Sequence, residues 1–277
     1  MSSLTEPRSA DGERGLAALL AEPARAVVAV DFDGTLAPIV ERPEDARPAS
    51  GAVEALASLA ASIGRLAVIT GRGAEDVVRL GGLERVPGLR VLGHYGLEEW
   101  RDGALTSPSP SPAVDEVRRR LPDLLAGAPE GVHVEDKKHS IVVHTRPTAD
   151  PAQALADLAP KLQALADEAG LETVPGRFVV ELRPRGVDKG SALRELVTSY
   201  DARSVVYVGD DLGDLAAFDA VESLRTNGGV PGVTVASVDP TLEDSPRELA
   251  ARADLVLAGP TAVVQWLTAL AAALGSG

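Results

Sequence analysis

The run Val27 to Val40 (VVAVDFDGTLAPIV) constrains this chain more than any other stretch. Val27, Val28, Ala29 and Val30 show no alternation, which predicts a strand buried on both faces, as in a parallel sheet. That strand runs straight into Asp31, Phe32, Asp33 and Gly34, and open α/β sheets bind their ligands at such carboxyl ends. In extended backbone, residues two apart share a side, so Asp31 and Asp33 aim into one space. Two acids there can collect a divalent cation, or divide nucleophilic and proton-transfer roles. Gly34 permits a sharp turn, and Thr35 offers a hydroxyl and an amide to an oxyanion.

Further strand ends follow in order. Arg65 to Thr70 reads as a second parallel strand, ending in Thr70, Gly71 and Arg72 before a helix from Ala74 to Leu80. A hydroxyl beside helix amides suits a phosphate. A third short strand, Arg90 to Gly93, leads into His94, Tyr95, Gly96, Leu97 and Glu98. Lys189 stands at the opening of a helix over Asp188 to Ser199, where a cation opposes the macrodipole and so has another task, such as neutralising a phosphoryl group. The buried strand Val205 to Val208 then ends in Gly209, Asp210, Asp211, Leu212, Gly213 and Asp214. Val233 to Ala236 and Asp254 to Leu257 are expected as edge strands, with a closing helix over Thr261 to Leu274.

Between these core segments the pattern changes. Ser107 to Pro112 (SPSPSP) marks a domain junction, followed by an α-β-β-α-β-β order over residues 113–183. This predicts a small antiparallel sheet inserted in the core as a cap. Its strands alternate: Val132 and Val134 oppose His133, Glu135 and Lys137; Ile141 and Val143 oppose Ser140, His144 and Arg146; Phe178, Val180 and Leu182 oppose Glu181 and Arg183. Charged groups gathered on one face suit a lid that grips a polyhydroxylated sugar.

The D-x-D-G-T run, Thr70-Gly71-Arg72, Lys189 and the G-D-D-x-x-D run resemble the motifs of the haloacid dehalogenase (HAD) superfamily of aspartate-dependent phosphohydrolases. The G-H-Y-G-L-E segment, Glu135-Asp136-Lys137 and His144-Thr145-Arg146 resemble segments of the trehalose-6-phosphate phosphatases within it. The resemblance covers residues from about 25 to 265. It implies an α/β fold, a Rossmann-like parallel-sheet HAD core over residues 14–106 and 184–277, with an inserted α+β cap over 107–183; the polar residues 1–13 are expected as a mobile terminus. It further implies Asp31 as nucleophile, Asp33 as acid and base, and phosphate binding by Gly34, Thr70, Gly71 and Lys189. Magnesium would be held by the Asp31 side chain, the Asp33 backbone carbonyl and Asp210, with Asp211 and Asp214 behind them. Sugar contacts are implied for Glu135, Lys137 and Glu181, and Arg72, His94, Glu98, His144, Arg146 and Arg183 are further candidates for the substrate pocket. Most of that family carry Thr and Glu where Gly213 and Leu215 stand here. Phosphatases for sucrose phosphate or mannosylphosphoglycerate share the capped architecture. A phosphoacceptor signalling domain also uses a strand-end Asp, but has no acid two residues on and no cap.

Composition removes several other functions. The chain has no cysteine, hence no disulfide, thiolate zinc site or cysteine nucleophile, and its four histidines show no ligand spacing. A net charge of −14 and the lack of a basic run argue against nucleic acid. That charge does not bar a phosphate substrate, because screening over about 8 Å leaves the decision to local cations. No apolar run approaches the roughly 20 residues of a membrane span. A cytoplasmic monomer acting on a small sugar phosphate, without membrane or nucleic-acid partners, is the expectation.

Overall fold

The computed structural model describes residues 4–238 and 247–275. In chain order the elements are α1 (Ala10–Ala21), β1 (Ala26–Val30), α2 (Ala52–Ala60), β2 (Arg65–Ile69), α3 (Ala74–Gly81), β3 (Arg90–Gly93), β4 (Glu98–Arg101), β5 (Ala104–Thr106) and α4 (Pro112–Leu124). They continue with β6 (His133–Asp136), β7 (Ile141–His144), α5 (Pro151–Ala169), β8 (Leu171–Gly176), β9 (Val179–Pro184), α6 (Lys189–Ser199), β10 (Ser204–Gly209), α7 (Leu215–Asn227), β11 (Gly232–Ser237), α8 (Arg247–Arg252), β12 (Leu255–Leu257) and α9 (Gly259–Leu274). Pro108–Val187 forms one compact unit, and Met1–Ser107 with Asp188–Gly277 the other. Among the described residues no helix is long and apolar enough to cross a membrane.

The larger unit is an α/β fold on one sheet of order β12-β11-β10-β1-β2-β3-β4-β5. Strands β12 to β3 run parallel, and β4 and β5 extend the sheet as an antiparallel hairpin. β1 is central and fully buried, and its side chains divide by parity. Val28 and Val30 pack with Leu19, Leu56, Leu59 and Leu267 on one face, while Val27 and Ala29 pack with Leu193, Leu196, Phe218 and Val221 on the other. Burial on both faces is why this strand is apolar throughout.

Several elements differ from the sequence reading. α1 begins at Ala10, within the segment expected to be mobile, and Ser9 caps it by accepting from the Gly12 amide at 2.9 Å. The chain before it is held by bonds from the Arg8 amide to Asp254 and from the Trp266 indole to the Thr5 carbonyl. Two glycines mask this helix in the sequence, yet a Cβ on Gly15 would overlap the Gly232 backbone, so the glycine permits a close helix-strand approach. β11 is an interior strand between β10 and β12, leaving β12 and β5 at the edges. The β4–β5 hairpin, turning at Asp102 and Gly103, both with positive φ, was not anticipated. Nor was α7, which has no side-chain N-cap because Asp214 turns its carboxylate elsewhere.

The smaller unit is a four-stranded antiparallel sheet of order β6-β7-β9-β8 with α4 and α5 packed on one face. Ile141, Val143, Val180 and Leu182 meet Val117, Leu121, Leu158 and Leu162 there. Val134 was expected on this apolar face but is 44% exposed, because β6 is an edge strand with only β7 beside it.

Candidate active site

The parallel register Val27↔Val205 through Val30↔Val208, with Val30↔Val68 on the other side, brings the carboxyl ends of β1, β10 and β2 together. The Asp31 amide prolongs the ladder by donating to the Val208 carbonyl at 2.9 Å. Asp31, Thr70 and Asp210 are thereby gathered at one rim, all buried. Gly34 turns the chain with φ +71°, and a Cβ there would overlap the Asp210 carboxylate. Thr35 Oγ1 lies 3.3 Å from Asp210 Oδ1, and Ser237 at the end of β11 donates to the Gly34 carbonyl at 2.7 Å, fixing the turn.

α6 brings the cation. Its N-terminus is held by a capping box in which Asp188 accepts from the Ser191 amide and Ser191 Oγ accepts from the Asp188 amide. Lys189, the first helical residue, points Nζ to 3.0 Å from Asp31 Oδ2 and 2.7 Å from Asp214 Oδ1. Asp214 is saturated: Oδ1 also accepts from Tyr207 OH at 2.5 Å, and Oδ2 accepts from the Asp210 and Asp211 amides at 2.9 and 3.1 Å. It therefore anchors Lys189 and shapes the loop that presents Asp210. Asp211 caps the same loop, accepting from the Gly213 amide at 2.8 Å. Leu215 opens α7 rather than adding a polar group to the rim.

The electrostatics follow from burial. Desolvation pushes Asp31 up to about 8, opposed by Lys189 and reinforced by Asp214 and Asp211. Desolvation and the charge of Asp31 push Asp210 up to about 10. Burial works against the Lys189 ammonium, but Asp214 and Asp31 hold it well above the ordinary lysine range. Burial likewise works against the Asp214 carboxylate, yet Lys189 and Tyr207 hold it below its usual range. Oxygens of Asp31, Asp210 and Asp214 lie within 4.8 Å of one another. Hard carboxylate donors that burial keeps protonated are what a magnesium ion would return to the ionised form, so the residues fit this cation. With Asp214 already accepting four bonds, Asp31 and Asp210 are the side chains able to hold it.

Asp33 is not one of these three carboxylates. Arg72 clasps it through Nε at 2.6 Å and Nη2 at 2.7 Å, while Arg72 Nη1 donates to the Pro43 carbonyl at 2.7 Å. The hydrogen bond to Asp33 is the main cause that raises the Arg72 guanidinium above its ordinary value. Thr70 Oγ1 accepts from the Arg72 amide at 3.2 Å, and a Cβ on Gly71 would stand 2.7 Å from Tyr95 OH. Glu98 turns to the start of α3, accepting from the Ala74 amide at 3.2 Å and from Ser107 Oγ at 2.6 Å, with His94 Nε2 at 3.7 Å. It caps a helix that has only Gly73 at its N-cap. His94 and Tyr95 both take left-handed backbone, with φ +46° and +59°.

In the smaller unit, the register Glu135↔Val142↔Glu181 places Glu135 and Glu181 on the sheet face opposite the helices. Glu181 is buried and accepts from Ser140 Oγ at 2.6 Å. Glu135 bonds His144 at 2.9 Å, and the His144 ring stacks on that of His133, the centroids 4.5 Å apart. Arg183 pairs with Glu172 at 3.0 Å. Lys137 follows β6 in the turn, its amide donating to the Ser140 carbonyl, and Arg146 lies exposed beyond β7.

Tyr207, Ser237 and the Pro43 carbonyl escaped the sequence reading. Only Tyr207 left a trace there, as a lone hydroxyl in an aliphatic strand, which must find a buried partner.

The profile of the family described as trehalose-phosphatase matches residues 29–248. A trehalose-phosphate phosphatase of Mycobacterium marinum is 36% identical over 214 residues, covering 71% of this chain and 52% of its own. A Mycobacterium tuberculosis protein described as an uncharacterized glycosyl hydrolase is 40% identical over 210 residues, 71% of this chain and 15% of that one. The chain thus spans about half or less of the length of these relatives. Among solved structures, the C-terminal domain of a Candida albicans trehalose-6-phosphate phosphatase superposes with a TM-score of 0.73 at 21% identity, covering 98% of this chain and 99% of its own. A HAD-like hydrolase from Bacteroides thetaiotaomicron shares the fold with a TM-score of 0.61 at 15% identity, over 87% of this chain and 98% of its own. By the profile match across most of its length and by its identity to these relatives, the chain belongs to the trehalose-phosphatase family.

Proposed function

We propose that this protein is a magnesium-dependent phosphatase that hydrolyses trehalose 6-phosphate to trehalose and phosphate in the cytoplasm, as a step in forming trehalose. The observation that carries the phosphoryl chemistry is the buried set of Asp31, Lys189 and Asp210 at one strand rim, with Lys189 Nζ 3.0 Å from Asp31. Family membership supplies the sugar.

The reaction follows from the groups present. An oxygen of Asp31 attacks phosphorus and forms an aspartyl phosphate, and the sugar leaves as an alcohol. The leaving alkoxide is strongly basic, so Asp33 gives it a proton as the P–O bond breaks, then takes one from the water that hydrolyses the intermediate. A carboxylate in the grip of Arg72 only accepts hydrogen bonds, so Asp33 has to leave that clamp to act as the donor. Lys189, Thr70 and the amides at Gly34 and Gly71 hold the phosphoryl oxygens and stabilise the charge that spreads over them. Asp31 and Asp210, with the Asp33 carbonyl, would hold a magnesium ion, which would supply positive charge to the phosphoryl group. Glu135, Lys137 and Glu181 read the sugar hydroxyls, with His144, Arg146 and Arg183 beside them. Arg72, His94 and Glu98 act through positioning, since their bonds go to Asp33 and to the start of α3.

Phosphate release across a panel of sugar phosphates, with and without magnesium, tests this reading. Selective, magnesium-dependent release from trehalose 6-phosphate is expected. Equal or better release from sucrose phosphate or mannosylphosphoglycerate would move the activity to another member of the capped class.

A further inference from the structure

A basic pocket, open to the surface and with its charged side chains exposed, lies apart from the rim of Asp31. It has a volume of about 410 Å³ and is lined by Arg47, Gly51, Glu54, Arg79 and Arg85 among others, none of them part of the site above. Its walls are the segment leading into α2 and the C-terminal end of α3.

The charge balance in it is unusual for a chain of net charge −14. Arg79 pairs with Asp76 at 2.8 Å. Neither Arg47 nor Arg85 has a carboxylate partner among the described residues. Their bonds go to backbone oxygens instead: Arg47 Nη1 to the carbonyls of Glu44 and Ala46 at 2.8 and 2.7 Å, and Arg85 Nε to that of Gly82 at 3.2 Å. Such bonds orient the guanidinium without neutralising it. Even with Glu54 counted, the lining carries an excess of positive charge, and arginine forks match the oxygens of a phosphoryl group. At the head of α2 the N-cap is Gly51, which offers no side chain to the first-turn amides.

We infer that this surface pocket is an accessory site for the phosphoryl group of a small phosphorylated molecule. This inference stands independently of which sugar phosphate is the substrate.

Equilibrium dialysis with inorganic phosphate, and in parallel with glucose 6-phosphate, tests it on the full chain. Wild type is expected to bind at a second site besides the catalytic one. The double variant Arg79→Ala, Arg85→Ala should lose that site, with affinity weakened about tenfold or more, while its kcat/KM for p-nitrophenyl phosphate in phosphate-free buffer stays within about twofold. Arg79→Glu, which reverses one charge, should weaken it as well. Tighter binding of glucose 6-phosphate than of phosphate would assign the site to a sugar phosphate, and equal binding to the free anion. A single site for both probes in wild type, or a second site that survives in both variants, would overturn the inference.

Discussion

Arg72 holds Asp33 by a bidentate pair of bonds, 2.6 and 2.7 Å long, so the acid two residues beyond the strand-end Asp31 is already engaged by a guanidinium. Arg72 itself was expected to face the substrate. Replacing it with lysine keeps a charge but loses the fork. Arg72→Lys should therefore lower kcat for p-nitrophenyl phosphate about tenfold or more and move the limbs of the pH–rate profile, with a smaller change in KM. An unchanged profile would mean that the clamp does not govern Asp33.

Asp214 is fully buried and accepts from Lys189, Tyr207 and two amides. Asp214→Ala leaves a buried ammonium with Asp31 alone, and a loss of roughly 3–5 kcal/mol in stability is expected. Tyr207→Phe removes one bond to a charged group and should cost roughly 1.5–3 kcal/mol. Chemical denaturation of both variants checks the order. A Tyr207→Phe loss as large as that of Asp214→Ala would show that the hydroxyl, not the ion pair, holds the loop.

In the metal-free protein, Asp31 and Asp210 keep their protons up to about 8 and about 10, whereas in the unfolded chain both release them near 3.8. Folding therefore takes up protons between those values. The contribution of these two groups to metal-free stability is fullest below 3.8 and declines as pH rises through 8 to 10, whereas Asp214, held below its usual range, contributes the opposite dependence at low pH. Magnesium competes with those same protons, so the rise in Tm it gives should be larger at about pH 8 than at about pH 5.5. Calorimetry at both pH values checks this, and a larger rise at the lower pH would contradict it.

On the smaller unit, Glu135→Ala, Lys137→Ala and Glu181→Ala should each cut kcat/KM for trehalose 6-phosphate about tenfold or more, with p-nitrophenyl phosphate turnover within about twofold. Equal losses on both substrates would show that these residues do not read the sugar. Glu181 is informative because it is already bonded to Ser140 at 2.6 Å, so Ser140→Ala should reproduce part of its effect.

The strand ends were legible because each is a short apolar run stopping at Asp31, Thr70 or Asp210, and a parallel sheet buried on both faces forces such runs together. Lys189 was legible as a cation at a helix start, where stability alone disfavours it. What stayed hidden depends on contacts distant in sequence. Gly12 and Gly15 look like helix breakers until the close approach of Gly232 and Asp254 is seen. Glu98 resembled a pocket group, but its carboxylate serves the amide of Ala74, 24 residues away. The Arg72–Asp33 pair spans 39 residues and leaves no local pattern.

The most direct test of Asp31 as the nucleophile of a trehalose 6-phosphate phosphatase is rapid acid quenching of Asp33→Asn with trehalose 6-phosphate labelled in its phosphate, followed by peptide mapping. Label on the peptide that contains Asp31, formed quickly and lost slowly, is the expected result, and no label in Asp31→Asn. Phosphate release by the wild type with no label on Asp31 in any variant would contradict it.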